Sequence, residues 1–168
     1  LIIKKVTIQH YYLLLGGNQG DRVNALQEAS KKIEKGIGPI ANTSLIYQTE
    51  AWGKTDQSDF LNQALIVEST LPASNVLSII QAIESELGRQ RNVKWGERTI
   101  DIDILYIDNL VIDSPDLVVP HPEIQNRRFA LIPLVELNPT FVHPLLKKTN
   151  RALLDVCSDA LSVTPFTN

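Results

Sequence analysis

Asp101 and Asp103 stand two apart in the run Trp95-Gly96-Glu97-Arg98-Thr99-Ile100-Asp101-Ile102-Asp103-Ile104-Leu105-Tyr106. On a strand, carboxylates at that spacing share one face, roughly 6–7 Å apart. If the face is enclosed, two unpaired like charges are costly, and a hard divalent cation relieves them. Two such ions about 3.5–4 Å apart make a clamp for phosphoryl transfer. The neighbours suit the same chemistry. Arg89, Arg91, Lys94 and Arg98 place four cations within ten residues, and His121 follows in Pro120-His121-Pro122. Cations beside acids look like a polyphosphate site. The plainer alternative makes the aspartates the wet side of a half-buried strand and the basic run a solvated loop.

Period-two alternation makes the aspartate run a strand, with Ile100, Ile102, Ile104 and Tyr106 pointing to a core and Asp101, Asp103 and Leu105 pointing the other way. Upstream, Val6 to Leu15 reads as a strand. Gly16-Gly17-Asn18-Gln19-Gly20-Asp21 turns it into a helix that Asp21 caps, with Val23, Leu26, Ala29, Lys32 and Ile33 on its inner stripe. The turn lacks the Lys-Ser/Thr of a P-loop. A second strand is expected over Ile40 to Thr49 and a third over Gln63 to Thr70. Pro72 opens a helix along Val76, Leu77, Ile80, Ile83 and Leu87, and Gly88 closes it. On that helix Gln81 and Glu84 lie three apart on one side, where such pairs are usually solvated. Leu110 to Ile112 returns as a short strand, and Ala130 to Leu137 is helical with Pro133 near its start. Thr149-Asn150 caps a last helix with Leu153, Leu154 and Val156 inward. The element order matches a ferredoxin-like β-α-β-β-α-β core, an α+β fold with an antiparallel sheet and C-terminal additions.

With 168 residues, a single domain over 1–168 with a sizeable core is expected. The net charge of −3 and pI near 5.6 argue against duplex nucleic acid, which calls for a basic footprint. Cys157 alone excludes a disulfide framework and suits a reducing cytoplasm. No apolar run reaches the length of a membrane span. Methionine is absent even at residue 1, so a trimmed terminus or a fused neighbour is expected.

The ordered set Leu15-Gly16-Gly17-Asn18-Gln19-Gly20-Asp21, Tyr47-Gln48-Thr49-Glu50-Ala51-Trp52-Gly53, Phe60-Leu61-Asn62, Gly88-Arg89-Gln90-Arg91, Trp95 to Ile104, Pro120-His121-Pro122 and Arg127-Arg128-Phe129 resembles the 6-hydroxymethyl-7,8-dihydropterin pyrophosphokinases of folate biosynthesis. The resemblance implies transfer of a pyrophosphoryl group from ATP to the pterin hydroxymethyl oxygen, leaving AMP. It implies two magnesium ions on Asp101 and Asp103, with Arg91 and Arg98 as further catalytic groups. Gln81, Glu84, Arg89, Arg91, Lys94, Trp95, Arg98, Ile104, His121 and Arg127 fall at ATP positions. Thr49, Glu50, Trp52, Phe60, Asn62, Trp95 and Phe129 fall around the pterin. Arg89 and Trp95 belong to a closing loop, and a monomer is expected. Gly17, Ala51, Glu97, Lys94, Asp116 and Val118 depart from common family residues.

Two other classes compete. A ferredoxin-like RNA-binding module would need exposed aromatics in the RNP pattern, which the strands lack. A regulatory relative without activity would not need the intact acids, arginines and His121.

Overall fold

The computed structural model describes residues 5–50, 56, 58–88 and 99–168. Its centre is a six-stranded sheet in the order β5-β1-β4-β3-β8, with β2 also on β4, every pair antiparallel. β1 is Gln9–Gly17, β2 Ile40–Thr43, β3 Tyr47–Thr49, β4 Phe60–Ser69, β5 Asp101–Ile107 and β8 Val163–Pro165. A separate ribbon pairs β6, Ile112–Asp113, with β7, Val118–Val119.

The central strand explains the layering. Tyr11-Tyr12-Leu13-Leu14-Leu15 is apolar without a break because both faces of β1 are covered. Tyr11, Leu13 and Leu15 point to α1 (Arg22–Gly36) and α2 (Ala73–Glu86), against Leu26, Ile33, Val76 and Ile80. Tyr12 and Leu14 point to the other core, built on α3 (Arg128–Leu137) and α4 (Asn150–Asp155). Asp21 caps α1 by accepting from the Asn24 N–H, as expected. Lys32, at the rim of the α1 stripe, reaches Glu86 of α2 at 2.6 Å. Gly88 ends α2 at φ 87°, the left-handed backbone that suits glycine after a helix.

Several boundaries differ from the sequence reading. β1 starts at Gln9, leaving Val6 and Ile8 exposed. Pro72 is the N-cap of α2 rather than its first residue. The strand expected over Ile40 to Thr49 breaks at Ser44. There the Ser44 hydroxyl accepts from Ala64 N–H while Ser44 N–H donates to Ala64 O, so a side chain replaces one rung of the ladder. β4 begins at Phe60, so Phe60 and Asn62 lie within it. The ribbon strand falls at Ile112–Asp113 rather than Leu110 to Ile112.

Tyr106 does not share the isoleucine face. Tyr12 pairs with Tyr106 but Leu13 with Ile104, so Leu105 is the extra residue of a bulge. Leu105 and Tyr106 both enter the α3 core, while Ile100, Ile102, Ile104 and Ile107 stay with α1 and α2. α3 starts at Arg128, which puts Pro133 inside it. Val156 is 68% exposed, because α4 ends at Asp155; the inward residues are Leu153 and, partly buried, Leu154. β8 was not expected: three residues ending in a proline carry almost no strand pattern, and an edge position tolerates that proline.

Candidate active site

One row across the sheet gathers the polar residues. Asp101 on β5 lies opposite Gly16 on β1, Gly16 opposite Asn62 on β4, and Asn62 opposite Tyr47 on β3. One step along, Asp103 faces Leu14, whose other partner is Ala64. These side chains continue the α3 face beyond its apolar core, where β1 ends and β4 and β5 begin.

Gly16 fits this row for a steric reason. A Cβ there would overlap Oδ1 of Asn62, so glycine lets the amide lie flat on the neighbouring backbone. Asn62 is 4% exposed, and its Nδ2 donates to Thr49 Oγ1 at 2.7 Å. That bond orients the amide and leaves it a carbonyl and a second hydrogen to offer. Phe60, cross-strand partner of Thr49, is half-buried.

The aspartate strand is held from α2. Glu84, only 2% exposed, accepts from Ile102 N–H at 2.9 Å, between the two aspartates. It is therefore not the solvated partner of Gln81, which is exposed. β5 lies at the sheet edge, where an outward N–H needs a partner from outside the ladder.

Two nitrogen donors approach Asp103 from the segment after the ribbon. Arg127 Nη1 lies 3.8 Å and His121 Nε2 4.0 Å from Asp103 Oδ2. His121 Nδ1 accepts from Glu123 N–H at 3.1 Å, which leaves the proton of the neutral ring on Nε2, towards Asp103. Burial, then the charge of Arg127, pull the His121 pKa down to about 4, against opposing pulls from Glu123 and Asp101. His121 is thus neutral at pH 7, and its approach to Asp103 is not an ion pair there. Arg127 Nε is buried without a hydrogen-bond partner, a donor that an anion would satisfy. The guanidinium sits 5.7 Å from the centre of the Phe129 ring.

Among the described residues, no cluster of three or more His, Cys, Asp and Glu side chains forms a metal cage. Two carboxylates on one face fit magnesium, which keeps several waters and takes phosphate oxygens as further ligands.

Residues 12–139 match the family described as 7,8-dihydro-6-hydroxymethylpterin-pyrophosphokinase. The chain belongs to this family. It is 40% identical over 137 residues to the 2-amino-4-hydroxy-6-hydroxymethyldihydropteridine pyrophosphokinase of Aquifex aeolicus, covering 82% of this chain and 85% of that one. It is also 40% identical over 127 residues to the Bacillus subtilis protein of the same name, covering 75% and 76%. A crystal structure of Plasmodium falciparum HPPK-DHPS with pteroate superposes with a TM-score of 0.71 at 18% identity, a likeness of fold. That match covers 89% of this chain, which spans 42% of the solved one.

Of the positions drawn from the pyrophosphokinase resemblance, the structure brings Asp101, Asp103, His121 and Arg127 together, with Asn62 and Thr49 in or beside the same row. Trp52, Arg89, Arg91, Lys94, Trp95 and Arg98 lie outside the described residues. The Ile104 side chain is buried in the α1–α2 core, on the opposite face from the aspartates, so contact with a ligand there would have to come from its main chain. Glu50 is tied to the C-terminal segment: its Oε1 accepts from Ser162 N–H and its own N–H donates to Ser162 O. Phe129, in the first turn of α3, packs against the second core.

Sequence reasoning missed three supports. Tyr47 donates to Glu136 Oε2 at 2.6 Å, and burial, then that carboxylate, raise its pKa to about 12. Glu136 Oε1 accepts from Leu45 N–H, fixing the bend between β2 and β3. Asp159 accepts from Arg128 N–H at the start of α3. A carboxylate serving backbone across 91 or 31 residues leaves no local pattern.

Proposed function

We propose that the chain transfers pyrophosphate from ATP to 6-hydroxymethyl-7,8-dihydropterin. The hydroxymethyl oxygen attacks the β-phosphorus, the bond from that phosphorus to the α,β-bridging oxygen breaks, and AMP leaves. The hydroxyl proton passes to solvent, and the pterin carries away the diphosphate.

The observation that carries this reading is the row Asp101–Gly16–Asn62, with Asp103 one step away. It sets two carboxylates beside a buried amide. Asp101 and Asp103 would hold two magnesium ions, which neutralise phosphate charge when bound with ATP. Arg127, with its unpartnered buried Nε, and neutral His121, with Nε2–H turned to Asp103, would donate to phosphate oxygens. Arg91 and Arg98 would steady the transferring group, and Lys94, Gln81 and Arg89 would complete the nucleotide contacts. Asn62 would read the donor and acceptor edge of the pterin, with Thr49 orienting it and Phe129, Phe60, Trp52 and Trp95 as apolar walls. Arg89 and Trp95 would belong to a loop that closes over both substrates.

The strand order supports a ferredoxin-like core, with β2 and β3 together in the place of its second strand. A cytoplasmic monomer acting on small molecules fits the lone cysteine and the net charge of −3. No described helix is long and apolar enough to cross a membrane. The test is AMP release from ATP in the presence of 6-hydroxymethyl-7,8-dihydropterin. Pterin-dependent AMP formation is expected, and its absence with saturating magnesium overturns the reading.

A further inference from the structure

Residues Asp159 to Phe166 run between two parts of the candidate site and lie outside the family-matched stretch 12–139. At one end, Asp159 Oδ2 accepts from Arg128 N–H at 2.9 Å, and Oδ1 accepts from Leu161 N–H at 3.0 Å. Arg128 is the first residue of α3, and the N-cap residue Arg127 supplies no side-chain cap of its own. A carboxylate at a helix start satisfies an orphan N–H and complements the positive end of the dipole. Asp159 therefore caps α3 from 31 residues away, between Arg127 and Phe129.

At the other end, the segment grips β3. Glu50 N–H donates to Ser162 O at 3.3 Å, and Ser162 N–H donates to Glu50 Oε1 at 3.2 Å. Val163 pairs with Thr49, and Phe166 N–H donates to Ile46 O at 2.8 Å. Thr49 in turn receives the Asn62 amide. β3 is three residues long, too short to hold its position on β4 alone.

We propose that Asp159 is a positioning residue: with the strand that follows it, it forms a strap fixing the distance between the Thr49–Asn62 wall and the Phe129 wall of the pterin pocket. This rests on the proposed function, which places the pterin between those walls. The nucleotide side is held separately: Glu84 accepts from Ile102 N–H between the aspartates, and the backbone of Arg127 is fixed by its own N–H on Ile124 O at 3.2 Å, so the strap governs pterin affinity more than nucleotide affinity.

The test uses the full chain and two equilibrium titrations. One uses 6-hydroxymethyl-7,8-dihydropterin with a saturating non-hydrolysable ATP analogue, the other the magnesium–analogue complex alone. Asp159→Ala should raise the pterin Kd about 5- to 20-fold, the scale of a lost cap, and shift the nucleotide Kd less than about twofold. Asp159→Asn keeps one acceptor oxygen and should fall between. Thr149→Ala, which removes the cap of α4 through Ala152 N–H, controls for general loss of stability and should leave both constants unchanged. An unchanged pterin Kd in Asp159→Ala overturns the strap. So does an equal loss of both ligands, or the same loss in Thr149→Ala. If Asp159→Ala does not fold, Asp159→Asn carries the test with the same criteria. Wild-type protein that binds the nucleotide but no pterin overturns the proposed function and the strap with it, whereas normal wild-type binding with an unaffected variant overturns the strap alone.

Discussion

The buried carboxylate of Glu84 holds the backbone N–H of Ile102, the residue between Asp101 and Asp103. Helix α2 thereby sets the height of an edge strand whose two acidic side chains face the other way. Glu84→Ala leaves that N–H without its partner, and unsatisfied buried groups cost about 1–3 kcal/mol. Denaturant titration should show a loss of that size, with turnover lowered as the aspartates shift. Glu84→Gln keeps an acceptor and should lose less of both. Equal stability and turnover in wild type and Glu84→Ala would remove Glu84 from the support of the strand.

Asp101→Ala and Asp103→Ala should each cut turnover at least ~10²–10³-fold, the scale for one major electrostatic contributor to a charged transition state. Both side chains are partly exposed on the sheet face, so the fold should survive their loss. Circular dichroism and turnover at saturating magnesium check the two halves of this expectation. Near-normal turnover in both variants would exclude the metal role.

Stability should fall as pH drops from about 6.5 towards 4. The folded pKa of His121 is lowered to about 4, chiefly by burial, so the unfolded chain takes up its proton first. His121's contribution is complete above the unfolded value near 6.5 and is lost on the way down to about 4. A shift of this size corresponds to on the order of 3 kcal/mol at most. His143 shifts the same way, through burial, with its Nδ1 accepting from Leu145 and Leu146 N–H. Denaturant midpoints of the metal-free protein across this range test the sign. His121→Asn should flatten part of the slope, and a profile identical to wild type would assign the slope to other groups.

The strand with its aspartates, the Asp21 cap and the Gly88 stop were legible because each rests on local pattern: alternation, a capping residue or a glycine after a helix. Tyr106 was misplaced because a bulge at Leu105 is set by pairing with β1, not by the run itself. Glu84 looked like surface because three-residue spacing on a helix says nothing about which strand edge lies above it. The Ser44 break, the Glu136 brace and the pairing of β8 with β3 depend on partners distant in the chain. The acidic end of the candidate site was therefore readable residue by residue, whereas what braces its Asn62 end was not.

Gly16 and Asn62 should act on the pterin as one unit. Gly16 pairs with both Asn62 and Asp101, and an added methyl group would overlap the Asn62 carbonyl oxygen. The amide must then turn away from the position set by Thr49. Leaving the ring edge unpaired costs roughly 1–3 kcal/mol, or about 5- to 150-fold in affinity. Asn62→Leu, close in volume but without donor or acceptor, should show that loss for the pterin and little change for magnesium–ATP. Gly16→Ala should show a loss of the same kind. Asn62→Ala removes the oxygen that the new methyl would strike, so adding Gly16→Ala to it should cost almost nothing further. The double-mutant cycle read by pterin titration would then be strongly non-additive. Additive losses would mean that Gly16 serves the pterin pocket independently of Asn62, and normal pterin binding in Asn62→Leu would take the amide out of the pocket.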